Sequence, residues 1–336
     1  MKVMPSTSPA AKRAMQAAVF HGEERITIEP VPIPDVGAGE ALVRVVRTAL
    51  CGSDLKLWHR GARFTAGHEI FGIVEQAGHS RHAQRCAIYI PVHCGHCAAC
   101  RRGNTQTCLT ISSLVGWDRP GGYAEYVPVP DNCLLPVPDD IEDSLAPLLL
   151  DTIGTSAHAV RFAGRMVAAG EAPVLVIGAG PVGLGVILAL KSFGYRDIHV
   201  SDPNTARLAI AESFGARSHA TGDARRFALV MECSGAHAAR NLGIEVVLPE
   251  GAIVLIGENA VPWTIEEGKV FRRKDFCMVR TFYFPKADFE PNVELLRRYK
   301  DEYRRLVDAE FGLPQLPNAF ARFAAGGLIK PLLALE

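Results

Sequence analysis

Four cysteines crowd one short stretch of this chain, Cys94-Gly-His-Cys97-Ala-Ala-Cys100 and then Cys108, in the spacing C-x2-C-x2-C-x7-C. Four thiolates on one loop supply the closed tetrahedral sulfur set that zinc takes in structural sites, with no position left for a substrate. An iron–sulfur cluster is the competing occupant of such a set. The chain carries nine cysteines, an odd number, and their crowding here reads as metal ligation rather than a disulfide framework.

A second constellation is built from glycines. Gly178, Gly180 and Gly183 follow the β-branched run Val174–Ile177 in G-x-G-x-x-G spacing and open an apolar stretch, 182–193, that reads as a helix. The first glycine allows the strand-to-helix turn, the second lets backbone approach a pyrophosphate, and the third lets helix pack on strand. The helix start then offers free N–H groups and a positive dipole to phosphate. The turn Gly178-Ala-Gly180-Pro181-Val182-Gly183 is thus the candidate cofactor loop. Asp202, about 20 residues beyond and at the end of a second strand, can accept hydrogen bonds from ribose hydroxyls. A carboxylate there repels a 2′-phosphate, which favours NAD over NADP.

Three further places hold residues able to do chemistry. Asp151 lies beside three leucines in APLLLDTIG, and burying an acid there is costly unless it is paired or bound to metal. Its plainer reading is a helix cap near the surface. Cys51-Gly52-Ser53-Asp54 and Gly67-His68-Glu69 are each unremarkable alone, since a single Cys is commonly a core residue and a single His a satisfied polar group. Their weight comes from the combination.

The elements that must position these groups divide the chain. Short strands over 16–20, 25–29, 41–49 and 70–76 have the spacing of a β-rich unit. Residues 141–162 read as largely helical. From 173 to 284, strands over 197–200, 229–232, 252–256 and 278–284 alternate with helices over 205–214 and 236–247, the pattern of a doubly wound α/β sheet. The tail is helical over 288–305 and ends in a short apolar run, 329–335. Of 336 residues, 48% are hydrophobic and 21% charged, which suits a globular chain with ample core. Lys plus Arg equals Asp plus Glu at 36 each, so no overall field favours nucleic acid or an anionic membrane. No apolar run reaches the length of a membrane span. The opening MKVMPSTSPAAKRA lacks a hydrophobic signal core, giving the expectation of a disordered extension on a cytoplasmic protein.

In this order, Cys51-Gly-Ser-Asp, Gly67-His68-Glu69, the four-cysteine loop, the glycine turn and Asp202 resemble the zinc-containing medium-chain dehydrogenase/reductase family of alcohol and polyol dehydrogenases. The resemblance implies a Rossmann-type NAD-binding domain, 156–286, inserted into a GroES-like catalytic domain made of 15–155 and 287–336, with 1–14 outside both. It implies one structural zinc on Cys94, Cys97, Cys100 and Cys108. It implies one catalytic zinc on Cys51, His68 and Asp151, with Glu69 able to approach the metal. Ser53 matches a proton-relay hydroxyl, and Arg207 a basic residue near the adenosine ribose. Lys56 stands where many relatives carry a relay histidine, and His59 is the nearby substitute. Trp58 and Trp117 are candidate pocket walls or core residues.

A zinc with three protein ligands keeps a position at which a substrate hydroxyl loses its proton more readily, and nicotinamide then takes the hydride. The activity implied is NAD-dependent oxidation of a secondary alcohol on a polyol, sugar, cyclitol or amino-alcohol, by a homodimer or homotetramer. A simple aliphatic secondary alcohol or an aldehyde is the runner-up substrate, suggested by Asp151. A cofactor-binding protein without catalysis is the rival of another class.

Overall fold

The computed structural model describes residues 14–76, 78–220, 222–265, 268 and 271–335. Two sheets organise it. The first has seven strands, including Glu40–Ala49, Glu69–Val74, Arg85–Ile88 and Leu134–Pro136 in neighbouring order, with Tyr126–Pro130 also paired to Glu40–Ala49. Two strands from the far end of the chain complete it: Leu332–Ala334 runs antiparallel to Glu40–Ala49, and Glu310–Gly312 lies outside it. Alternation along Glu40–Ala49 places Ala41, Val43 and Val45 in the core at 0% exposure, as a half-buried strand requires.

The second sheet is parallel, with six strands. Its spatial order is Arg217–Ser218, Ile198–Ser201, Val174–Ile177, Phe227–Glu232, Val247–Leu255 and Cys277–Arg280. Numbered along the chain this is 3-2-1-4-5-6, the order of a Rossmann-type doubly wound sheet, and the chain is an α/β protein of that class. Val174–Ile177 is buried throughout and explains the unbroken apolar run, because a central parallel strand is covered on both faces. The order reverses between the strands at Val174 and Phe227, so a crevice opens at the carboxyl ends of these two.

Several expectations shift in detail. The segment 141–162 is not one helix: a short 3-10 turn, Ala146–Leu149, gives way to a π-helical turn, Asp151–Thr155, and only then to the α-helix Ser156–Ala163. Pro147 inside the first turn lacks the N–H that a continuous ladder needs. The expected extension 1–14 lies outside the described residues except for Ala14, which opens the first strand, Ala14–Gly22. The last strand of the parallel sheet stops at Arg280, and Tyr283 beyond it takes a left-handed backbone, φ 48°. Among the described residues no helix is long and apolar enough to cross a membrane.

Candidate active site and metal centres

Strand pairing brings the first cluster together. Ala49 faces Glu69 across an antiparallel ladder, so Cys51, just past one strand, and His68, just before the other, emerge at the same end of the sheet. Asp151 arrives from the π-helical turn, a bulge of a kind often found at functional sites. Ligand atoms of Cys51, His68, Glu69 and Asp151 all lie within 4.8 Å of one another.

Within this cluster Cys51 Sγ is 3.4 Å from Asp151 Oδ2, and His68 Nε2 is 3.1 Å from the same oxygen. Zinc bonds of about 2.0–2.3 Å to N, O and S give tetrahedral edges of about 3.3–3.5 Å, so these two donor–donor spacings are within a few tenths of an ångström of what a shared metal requires. Asp151 takes a further hydrogen bond from Thr155 Oγ1 at 3.4 Å, so among the described residues its partners are the cluster and this hydroxyl rather than a helix N–H. Ser53 donates from Oγ to Cys51 Sγ at 3.2 Å.

The electrostatics are those of a crowded, dry site. Burial pushes the Cys51 thiol up, and the Asp151 charge adds to this. For His68, burial works against protonation, but the Asp54 charge and the Asp151 bond outweigh it and raise the ring well above its usual value. Burial raises Asp151 too, yet the His68 bond and charge leave it below the ordinary carboxylate range. Glu69 is pushed up to about 7 by burial, against the pull of Lys330. Its Oε1 is held by the Lys330 ammonium, while Oε2 is buried with no partner. An orphaned carboxylate oxygen beside a thiol, an imidazole and a second carboxylate fits a site made for a dication.

Three contributors escaped the sequence reading. Asp54 was read only as part of a motif, yet its carboxylate lies 3.0 Å from His68 Nδ1 and takes hydrogen bonds from Tyr123 OH at 2.7 Å and Cys51 N at 3.1 Å. Lys330, within the apolar tail, is 1% exposed and also donates to Leu50 O at 3.2 Å. The acid three residues after Cys51 was a usable signal for Asp54; nothing local marks Tyr123 or Lys330. Trp117 stands beside His68, with centroids 5.3 Å apart, whereas Trp58 packs into the core against Phe320. His59 turns away to Glu24 at 3.6 Å, and Lys56 reaches Glu258 instead of the cluster.

The second cluster is the cysteine loop. Cys94 and Cys100 Sγ are 4.0 Å apart and Cys97 and Cys108 Sγ 3.8 Å, with all four within 4.8 Å. Four Zn–S bonds of about 2.3 Å give sulfur edges of about 3.8 Å. Backbone N–H groups point at these sulfurs, from Cys97 to Cys94 Sγ at 3.3 Å and from Thr110 to Cys108 Sγ at 3.4 Å. The Thr110 hydroxyl, with the His96 N–H, brings the Cys94 thiol down to about 5, the direction that favours metal binding.

The glycine turn joins strand Val174–Ile177 to the helix that follows it. Pro181 opens the helix Pro181–Ser192, where its missing N–H costs nothing. A Cβ on Gly183 would meet Gly178 O at 1.8 Å, so helix and strand could not close with any other residue, while a Cβ on Gly180 would face open space where a phosphate can approach. Asp202 folds back on this turn: Oδ2 accepts from Ala179 N at 2.7 Å and Oδ1 from Asn204 N at 2.8 Å. Arg207 lies in the next helix, Thr205–Ser213, with Nε buried and unpartnered.

Residues 37–139 match the alcohol dehydrogenase GroES-like domain family. An L-threonine 3-dehydrogenase of Chelativorans sp. (strain BNC1) is 33% identical over 273 residues, covering 74% of this chain and 78% of that protein. The alcohol dehydrogenase of Thermus sp. ATN1 superposes with a TM-score of 0.87 at 26% identity, over 96% of this chain and all of that one (100%). A crystal structure described as a short chain alcohol dehydrogenase from E. coli CFT073, complexed with NADH, superposes at a TM-score of 0.85 with 22% identity, over 96% of this chain and 99% of that one.

Proposed function

Because the chain belongs to the zinc-containing medium-chain dehydrogenase/reductase family, we propose that this oxidoreductase moves hydride between NAD and a secondary alcohol on a polyol, sugar, cyclitol or amino-alcohol. The observation that carries the reading is the mixed donor set of Cys51, His68 and Asp151 around one point, with the unpartnered Glu69 oxygen beside it. The L-threonine 3-dehydrogenase relative supports the amino-alcohol member of that substrate class.

Cys51, His68 and Asp151 would hold the catalytic zinc, and Cys94, Cys97, Cys100 and Cys108 the structural one. When bound, the catalytic metal supplies Lewis acidity to a substrate oxygen and the nicotinamide accepts the hydride. Asp54 orients His68 by receiving the Nδ1 hydrogen, leaving Nε2 for the metal. Lys330 keeps Glu69 back from the other donors. Ser53, whose Oγ lies against Cys51 Sγ, would take a proton from a substrate hydroxyl and release its own outward. The turn from Gly178 through Pro181 and Val182 to Gly183 would take the pyrophosphate, Asp202 the ribose hydroxyls, and Arg207 the neighbourhood of the ribose.

The same reading gives a cytoplasmic enzyme, a compartment in which nine free cysteines stay reduced. It also gives a homodimer or homotetramer, in keeping with strand Cys277–Arg280 standing last in its sheet among the described residues. The test is metal content and NAD reduction on a panel of alcohols, polyols and β-hydroxy amino acids, with wild type beside Cys51→Ala. About two zincs per chain falling to about one, with turnover lost, is the expected result. One zinc in both proteins and no turnover on any panel member would leave only a cofactor-binding role.

A further inference from the structure

Lys56 lies in the helix Leu55–Arg60, three residues beyond Ser53, so the two are neighbours on one face of the turn that leaves Cys51. Its ammonium is directed across the cleft. Nζ lies 2.9 Å from Oε2 of Glu258, which follows strand Val247–Leu255 at the carboxyl end of the parallel sheet. That end is where a dinucleotide crevice opens. The pair therefore joins the metal-cluster side of the molecule to the cofactor side.

Glu258 stands on a fixed platform. The fully buried Glu232 carboxylate accepts from Ser234 N, Ser234 Oγ and Gly235 N, each at 2.7 Å, and so locks the turn after its strand. Gly257 is pressed on that turn: a Cβ there would meet Gly235 N at 2.0 Å. Arg280 donates to Gly257 O at 2.6 Å, Arg240 donates to it at 3.2 Å, and Asn259 Nδ2 donates to Gly235 O at 2.9 Å. With its backbone so held, Glu258 could not follow Lys56 if the two sides of the cleft separated. The ion pair would have to break. The sides also meet at buried contacts, where Tyr89 OH donates to Phe284 O at 2.6 Å and the rings touch.

We propose that Lys56 and Glu258 are positioning residues that form a charge latch across the cleft, closed over bound cofactor and opened for its exchange, so that the pair sets the cofactor's dwell time. The inference rests on the NAD reading above. The two side chains are 29% and 52% exposed, so the contact is weak and salt-screened. Such a contact adds little to the fold but can re-form in every turnover, and opening or product release governs turnover in many enzymes.

The test is NADH release from the zinc-loaded protein, followed by stopped-flow fluorescence in low and high salt. Wild type should release NADH about two- to five-fold faster in about 0.5 M salt than in about 20 mM. Lys56→Met and Glu258→Gln should release it about two- to five-fold faster already in low salt and lose the salt response. Lys56→Arg should retain slow, salt-sensitive release, and Lys56→Glu, facing Glu258 with a like charge, should be the fastest of the series. KM for NAD should rise with kcat unchanged or higher, while zinc content and melting temperature stay at wild-type values. Variants that bind NADH but match wild type in release rate and salt response would overturn the latch. A wild-type protein that binds no NADH would overturn the cofactor reading itself, and the latch with it.

Discussion

Asp54 Oδ1 lies 3.0 Å from His68 Nδ1 in a place where neither side chain reaches solvent. A carboxylate can only accept, so Nδ1 carries a hydrogen and Nε2 is the nitrogen turned to Cys51 and Asp151. Tyr123 OH and Cys51 N fix the carboxylate in turn. Such an outer partner sets both the orientation and the basicity of a ligating ring. Asp54→Asn keeps the shape and removes the charge. It should weaken zinc at the Cys51 cluster by about 10- to 100-fold and leave the cysteine loop loaded. Chelator competition that resolves the two metals reads this directly. Equal retention of both metals would show that His68 needs no carboxylate behind it.

Lys330 and Glu69 form a pair buried from solvent on both sides. Pairs of this kind are costly to break from one side, because the remaining charge has neither water nor partner. Lys330→Met should therefore cost about 3–5 kcal/mol in urea unfolding of the metal-free protein. Adding Glu69→Gln should recover much of that loss, since the stranded charge is gone. A single variant as stable as wild type would mean that Glu69 takes up a proton once its partner is gone, so that no charge is left stranded.

The sulfur cluster and the strand-to-helix turn were legible because each is local: its cysteines or glycines fall within about 15 residues, and spacing alone fixes their relation. The first cluster was legible only as a family pattern. Its geometry depends on the Ala49–Glu69 register and on a lysine 261 residues away from Glu69, and no local periodicity records either. Asp151 shows a further limit. A π-helical turn adds one residue per turn, and an apolar pattern as continuous as APLLLDTIG hides where the addition falls.

On the proposed function, Asp202 would tie cofactor choice to the shape of the glycine turn, because the oxygen that accepts from Ala179 N belongs to the carboxylate that would face the ribose. Asp202→Ala removes both functions. Charge-assisted hydrogen bonds of this kind contribute about 1.5–3 kcal/mol each, so NAD affinity should fall by about 10- to 100-fold. Affinity for NADP should fall less or rise, because the repulsion of its 2′-phosphate is also lost. Fluorescence titration with both reduced cofactors gives the two constants. A parallel loss for both would assign Asp202 to the turn alone.

Glu142 supplies a pH dependence remote from either metal cluster. Its Oε1 is 2.7 Å from an Arg304 nitrogen and 2.9 Å from Lys300 Nζ, and the Arg304 bond first, then Lys300, draws the carboxyl down from 4.5 to about 2. The folded state thus holds its proton less tightly than the unfolded chain does. Between about pH 4.5 and about pH 2 the unfolded state binds more protons, so the pair's contribution is complete above that window and disappears as pH falls through it. Glu142 is 41% exposed, and solvent screening limits the contribution to under about 1 kcal/mol. Glu142→Gln should accordingly lower the urea midpoint slightly at pH 7, by less in high salt, and the gap from wild type should narrow steadily below about pH 4.5. A gap that stays constant down to pH 3 would trace the loss to packing at the contact with Arg304, because only the charged form of Glu142 distinguishes the two proteins by pH.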